Sequence, residues 1–231
     1  MRGTYYKSKT AIQRNNVILL LLEWKDHRNN CFFFVSFIVK TCSFIMPKIK
    51  LNLIAAACEN MGIGVNGTLP WRLKNEMAYF TKMTSVVQDN SRQNAVIMGR
   101  VTWDCIPPKY KPLSDRINIV LTRNVDEVKK GVPNGVEVVN NLDEAIKLIE
   151  SRSDIEAAWV IGGSHIYKAA IEHPNCEKIY LTEIQKKYEC DTFFPDFDRK
   201  QFQLVNEDGV VSDKHTENGI EYYTRVYKKC Y

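Results

Sequence analysis

Short apolar runs alternate with segments of helical spacing along most of this chain. Ile49–Ala57 is an apolar run of strand length, and Arg72–Thr84 repeats Leu73, Met77, Phe80 and Met83 at helical intervals. Asn94–Met98 reads as a strand closing at Gly99, and Asn118–Leu121 and Val136–Val139 as two more. Leu142, Ala145, Ile146 and Ile149 form the stripe of a helix over Leu142–Ser151. Ala157–Ile161 has the pattern of a buried strand, ends in Gly162-Gly163, and is followed by a helix over Ser164–Ile171. Lys178–Ile184 alternates as a strand, and Phe202–Val205 with Ile220–Tyr227 reads as an antiparallel pair at the C-terminal end. Strands interleaved with helices predict one α/β domain. Its sheet is central, mostly parallel and twisted, of about eight strands, with helices on both faces and a C-terminal antiparallel hairpin.

The first 45 residues do not belong to this pattern. They hold two apolar runs, Val17–Leu22 and Cys31–Val39, separated by the polar stretch Glu23–Asn30. Neither run approaches the ~20 residues that span a bilayer as a helix. Residues 1–45 are therefore read as an N-terminal extension that is disordered, targeting or non-native, and 46–231 as the folded domain. Met46 stands just before the first clean strand. Residues 1–22 are basic and lack acids, which leaves a mitochondrial presequence as the alternative to a cytoplasmic location.

Charge sharpens this division. The net charge of +5 lies wholly in residues 1–45, with seven Lys/Arg against two acids; residues 46–231 carry 25 of each sign. The domain thus has no overall bias toward nucleic acid or an anionic membrane. Seven Cys without a C-x-x-C pair signal neither a disulfide framework nor a zinc ribbon, and no metal site is expected.

Four local features carry candidate chemistry. Glu76 lies on or at the edge of an apolar helical stripe, where a carboxylate is costly unless a donor-rich group meets it. Such an acid can pair with Arg72, tilt to solvent, or grip a planar group bearing two adjacent N–H donors. In the second, Ala158–Tyr167, a strand meets Gly162-Gly163 and then a helix, an arrangement suited to a pyrophosphate. The third, Val96–Trp103, does the same with Arg100 at the helix mouth; the strand Asn118–Leu121 leads to Thr122-Arg123. Two arginines beyond strand ends suit a phosphomonoester. The fourth, Asn60–Trp71, is a three-glycine loop anchored by Leu69-Pro70-Trp71, read as a mobile lid over a cleft.

These features, with Asn75-Glu76, Thr102-Trp103, Ile106-Pro107, Pro112-Leu113, Arg116-Ile117-Asn118 and Asp191–Pro195, occur in an order that resembles the dihydrofolate reductase family, animal type, from about Lys48 to Lys229. The resemblance implies NADPH-dependent reduction of dihydrofolate to tetrahydrofolate, which supplies one-carbon metabolism and thymidylate synthesis. It implies Glu76 as the pocket carboxylate, with Trp71 and Thr182 orienting it and ordering a water. By the same resemblance, Ile54, Ala55, Met77, Phe80, Ile106, Pro107, Tyr110, Leu113, Ile161 and Tyr167 border the substrate. Ile54 and Ile161 offer it backbone carbonyls, and Arg116 clamps its glutamate carboxylate.

NADPH is then expected against Ala56 and the loop residues Gly62, Ile63, Gly64, Gly67 and Thr68. Gly162, Gly163, Ser164, His165, Ile166 and Tyr167 would cover the pyrophosphate. Gly99, Arg100, Val101, Thr102, Leu121, Thr122 and Arg123 would take the phosphates and adenosine. The implied partners are dihydrofolate and antifolates, with no nucleic acid required and no stable membrane span, in a monomer. Met77 stands where animal relatives usually have Phe, Tyr110 where vertebrate forms have Asn, Val101 for a common Lys and Asn140 for an Arg. A same-fold reductase of a ribosylaminopyrimidine would lack Trp71, Glu76 and Arg116 in these roles. An idle folate- or nucleotide-binding protein would keep the residues but show no turnover.

Overall fold

A computed structural model describes residues 49–230 in full, and the backbone of three strands before them. The chain divides into two units, residues 1–47 and 48–231. In the first, β1 (Lys9–Arg14), β2 (Val17–Lys25) and β3 (Cys31–Ser36) pair antiparallel in that order. The expectations for the rest of residues 1–45 lie outside the described residues.

The second unit is built on one mixed sheet. Its strands are β4 (Leu51–Cys58), β6 (Gln93–Gly99), β7 (Arg116–Leu121), β8 (Glu137–Val139), β9 (Ile155–Gly162), β10 (Cys176–Ile184), β12 (Phe202–Val205), β13 (Lys214–Glu217) and β14 (Ile220–Lys229). The order is β12-β14-β10-β4-β9-β6-β7-β8, with β13 also on β14. From β10 to β8 every pairing is parallel; β14 reverses direction, and β12 and β13 pair antiparallel to it. A separate ribbon joins β5 (Gly62–Gly64) to β11 (Thr192–Phe193).

Alternation along the strands divides the core. Leu51, Leu53, Ala55 and Ala57 of β4 join Ile97, Ile119, Val160 and Ile179 on one face, under α4 (Leu142–Glu150) and α5 (Ser164–Glu172). Ile54 of the same strand joins Val96, Met98, Val120 and Trp159 on the other, against α1 (Lys74–Ser85) and α2 (Arg100–Cys105). Helices therefore cover both faces, as the pattern predicts for parallel strands. The short α3 (Val125–Gly131) follows β7.

In this second unit several elements were not marked by the pattern. The helix α3 is short and buries no residue. The β5–β11 ribbon pairs segments too brief to show a period. The tight C-terminal hairpin is formed by β13 and β14, while Phe202–Val205 pairs with the far end of β14. Lys214–Glu217 is polar and half exposed, so it lacks an apolar face; Asn218-Gly219, with φ of 53° and 72°, is its turn signal.

Candidate active site

The glycine-lined part of the site lies at the carboxyl ends of the parallel strands, where open α/β sheets present ligands, while Arg116 stands at the opposite end of β7. The centre of the site is Glu76. The helix α1 begins two residues before it and turns it inward, so that Glu76 is 5% exposed while Met77 beside it is 44% exposed. This corrects the apolar-stripe reading: Leu73 precedes the helix as its cap, Met77 lies open, and the buried positions of α1 are Glu76 and Thr84. An apolar stripe does not by itself decide which face of a helix turns inward; here the face that carries Glu76 does. Nor does Glu76 pair with Arg72 or tilt to water.

One protein donor meets Glu76 among the described residues. The Thr182 hydroxyl on β10 donates to its Oε1 at 3.1 Å. Burial pushes the carboxyl up from 4.5 to about 7, with the Thr182 bond opposing and the Glu217 charge adding. Trp71, also buried, packs edge-on to Tyr188 with centroids 5.5 Å apart, and its indole N–H meets no protein acceptor. Two buried polar groups thus have bonding capacity that the protein does not fill.

Around Glu76 the sheet places the other expected residues unevenly. Ile54 is buried, and its carbonyl accepts from the Tyr167 hydroxyl at 2.7 Å. A carbonyl oxygen has two lone pairs, so one remains for a ligand. The Tyr167 ring is tilted against Phe194 at 4.8 Å, and burial pushes its phenol up. Ala55 turns its side chain into the opposite core, which leaves only its backbone for the cleft side. Phe80, Ile106, Leu113 and Ile161 are half-buried on the α1 face of the sheet, while Pro107 and Tyr110 are exposed. Asn118 pins Leu113 from both sides, accepting from its N–H at 3.0 Å and donating to its carbonyl at 2.9 Å.

Arg116 opens β7 and is 9% exposed. Its Nε donates to Ser114 O at 2.8 Å and its Nη1 to Thr84 Oγ1 at 2.8 Å. Burial pulls the guanidinium down, and no carboxylate among the described residues reaches salt-bridge distance. A buried cation held by neutral acceptors calls for an anion. Thr84, which fixes it from α1, was not singled out from sequence; no local signal marks it.

On the other side, β9 and β6 run side by side and both end in helix starts. Gly162 (φ 124°) opposes Met98, and the Gly162–Gly163 peptide is cis. A Cβ on Gly163 would meet Thr102 Oγ1 at 3.3 Å, and one on Gly99 would meet Ile166 Cγ1 at 3.2 Å. The absence of side chains leaves backbone N–H groups at the starts of α2 and α5 open, and neither helix has a side-chain cap. Arg100, Val101, Arg123 and His165 are exposed around this cradle, and Ser164, Ile166 and Thr122 half-buried; Leu121 is buried at the end of β7. Arg100 pairs with Asp104 at 2.7 Å along α2. The Ser164 hydroxyl donates to Phe193 O, tying α5 to β11.

The three-glycine loop is tied to a distant segment. Gly62–Gly64 pairs with β11, and Val65 and Thr68 exchange backbone bonds of 2.9 Å around Asn66-Gly67. Asn66 N–H also donates to Asp191 at 2.7 Å. Local sequence shows glycine content, but the partners that hold it lie over 100 residues away.

This geometry defines a class: an α/β protein with glycine-lined strand ends and uncapped helix starts beside a buried carboxylate. The comparisons narrow it. The family model for dihydrofolate reductase matches residues 50–229. A dihydrofolate reductase from Heliothis virescens is 68% identical over 184 residues, covering 80% of this chain and all of the relative. The one from Gallus gallus is 46% identical, covering 78% and 96%. The solved dihydrofolate reductase of Schistosoma mansoni superimposes with a TM-score of 0.69 at 39% identity, over 79% of this chain and 99% of its own. The chain belongs to the dihydrofolate reductase family. It reduces dihydrofolate to tetrahydrofolate with NADPH, in service of one-carbon metabolism.

Proposed function

We propose that Glu76 is the proton-controlling and pterin-gripping group of this reaction, oriented by Thr182 and assisted by Trp71. The carrying observation is the burial of Glu76 against a single protein donor. A carboxylate in that position matches two adjacent N–H groups on a pterin edge. With its carboxyl raised to about 7, it changes protonation near neutrality, as a group that governs a proton at the substrate ring should. The Ile54 and Ile161 carbonyls add acceptors. Phe80, Ile106, Pro107, Leu113, Met77 and Tyr110 wall the ligand, and Arg116 takes its distal carboxylate.

NADPH, when bound, supplies the hydride. The glycine cradle fits a pyrophosphate because Gly99, Gly162 and Gly163 leave no side chain over the helix starts. In this reading Gly162–Tyr167 holds the pyrophosphate. Gly99–Thr102 with Leu121, Thr122 and Arg123 holds the adenosine end. Ala56 with Gly62, Ile63, Gly64, Gly67 and Thr68 borders the nicotinamide and excludes water.

The test follows NADPH absorbance with dihydrofolate as substrate. Glu76→Gln should lose most turnover at neutral pH and recover in part where the substrate is already protonated. Wild-type-like turnover at pH 8 would overturn the assignment.

We further propose that residues 46–231 act as a cytoplasmic monomer, independent of residues 1–45. The division into units at residue 47 supports the boundary, and no helix among the described residues is long and apolar enough to cross a membrane. A chain starting at Met46 should keep full turnover and sediment as a monomer. Fractionation of both lengths tests location; mitochondrial retention of the full chain alone would assign residues 1–45 a targeting role.

A further inference from the structure

The helix that carries Glu76 does not cap itself. Leu73 precedes α1 and offers no side-chain acceptor, although the first N–H groups of a helix need partners. Glu217 supplies them from the end of β13. Its Oε1 accepts from Lys74 N–H at 2.5 Å and its Oε2 from Asn75 N–H at 2.9 Å. The next residue, Asn218, donates its side-chain N–H to Arg72 O at 3.0 Å. Two consecutive residues of the hairpin thus clasp the chain just before Glu76.

The clasp and the catalytic hydroxyl share one support. β13 pairs with β14 through His215 opposite Tyr222 and Glu217 opposite Ile220. β14 pairs with β10 through Thr224 opposite Thr182. Glu217, which holds the start of α1, and Thr182, which holds the Glu76 carboxyl, are therefore both mounted on the β14 ladder. A shift of α1 relative to the sheet would break both contacts together.

We propose that Glu217 is a positioning residue for Glu76, serving both as the missing cap of α1 and as a fixed negative charge beside the pocket carboxylate. The proposal rests on the reading of Glu76 given above. The other groups that face Glu76 are neutral near pH 7. Tyr79 comes from α1, Tyr167 from α5, Tyr222 from β14 and Thr182 from β10, and burial pushes the three phenols up. Arg72 and Lys74 at the helix start are exposed. Glu217 adds to the upward pressure on the Glu76 carboxyl.

The test compares pH profiles of kcat/KM for dihydrofolate in the full chain. Glu217→Gln keeps one oxygen acceptor for the helix start, gives up the second cap bond and removes the charge. Its alkaline limb should move about 0.5 pH unit lower, roughly the effect of one partly screened charge. Raising salt should move the wild-type limb in the same direction. Glu217→Ala, which removes the cap as well, should raise KM for dihydrofolate several-fold and lower the melting temperature. An unmoved or raised limb in Glu217→Gln overturns the proposal even if Glu217→Ala fails to fold. Glu76→Gln separates the two readings. If it keeps wild-type turnover, the role of Glu76 falls and this one with it. If it loses turnover while Glu217→Gln leaves the limb in place, only the role of Glu217 falls.

Discussion

The Thr182 hydroxyl donates to the Glu76 carboxylate at 3.1 Å, across 106 positions of chain. Thr182 is on β10, between Ala56 of β4 and Thr224 of β14, and Glu76 is on a helix laid over that part of the sheet. The bond fixes one carboxyl oxygen and leaves the other without a protein donor among the described residues. A group held in this way is oriented without being neutralised, because a hydroxyl offers one proton and no charge.

That arrangement is unfavourable for stability. In the folded chain Glu76 releases its proton at about 7, whereas an unfolded chain releases it near 4.5. Between those values the folded state keeps a proton the unfolded state has lost, so stability falls as pH rises through this window and is level above it. At ~1.4 kcal/mol per pH unit, the cost at pH 8 is at most about 3.5 kcal/mol. Glu76→Gln should therefore be more stable than wild type at pH 8 and nearly equal at pH 4, while losing turnover. Urea midpoints at the two pH values measure this; an equal gain at both would assign it to packing instead.

Arg116 should act on substrate affinity. Arg116→Ala is expected to raise KM for dihydrofolate by the equivalent of ~1.5–3 kcal/mol, as for a lost charged hydrogen bond. Arg116→Lys should restore only part of it, since an ammonium cannot keep the Ser114 and Thr84 contacts and also present a planar fork. Steady-state kinetics decides; an unchanged KM would remove Arg116 from the site.

Cofactor preference should depend on Arg100 and Arg123. Both are exposed at the ends of β6 and β7, and Arg100 is shared with Asp104 in a solvated pair of the kind that contributes little to stability. Replacing both arginines with Ala should narrow the ratio of kcat/KM for NADPH over NADH with little change in melting temperature. A constant ratio would mean that other groups read the phosphate.

Gly62→Ala should disturb the loop. A Cβ there would come within 2.4 Å of Cys190 Sγ and 2.6 Å of its Cβ, closer than atoms can stand. Overpacking of this kind costs ~1–3 kcal/mol. Thermal melting should fall accordingly and KM for NADPH should rise, because the β5–β11 ribbon must move. Wild-type melting would show that the loop yields freely.

Sequence by itself determined the main strands of the sheet and the helices α1, α4 and α5, but not α3, β13 or the β5–β11 ribbon. Strand alternation and helical spacing are local properties, set by where each residue's own backbone points its side chain. The order of short motifs likewise marked Glu76, Arg116 and the paired glycines as chemistry. Tertiary structure alone decided which of them are buried. Met77 completes an apolar stripe on paper yet lies open, while Glu76 beside it is buried. Glu217 reaches the start of α1 from 141 positions beyond Glu76, through a strand ladder that leaves no periodic trace. A carboxyl acquires its proton affinity from everything that surrounds it in space, and that surrounding exists only once β10, β14 and α1 have met.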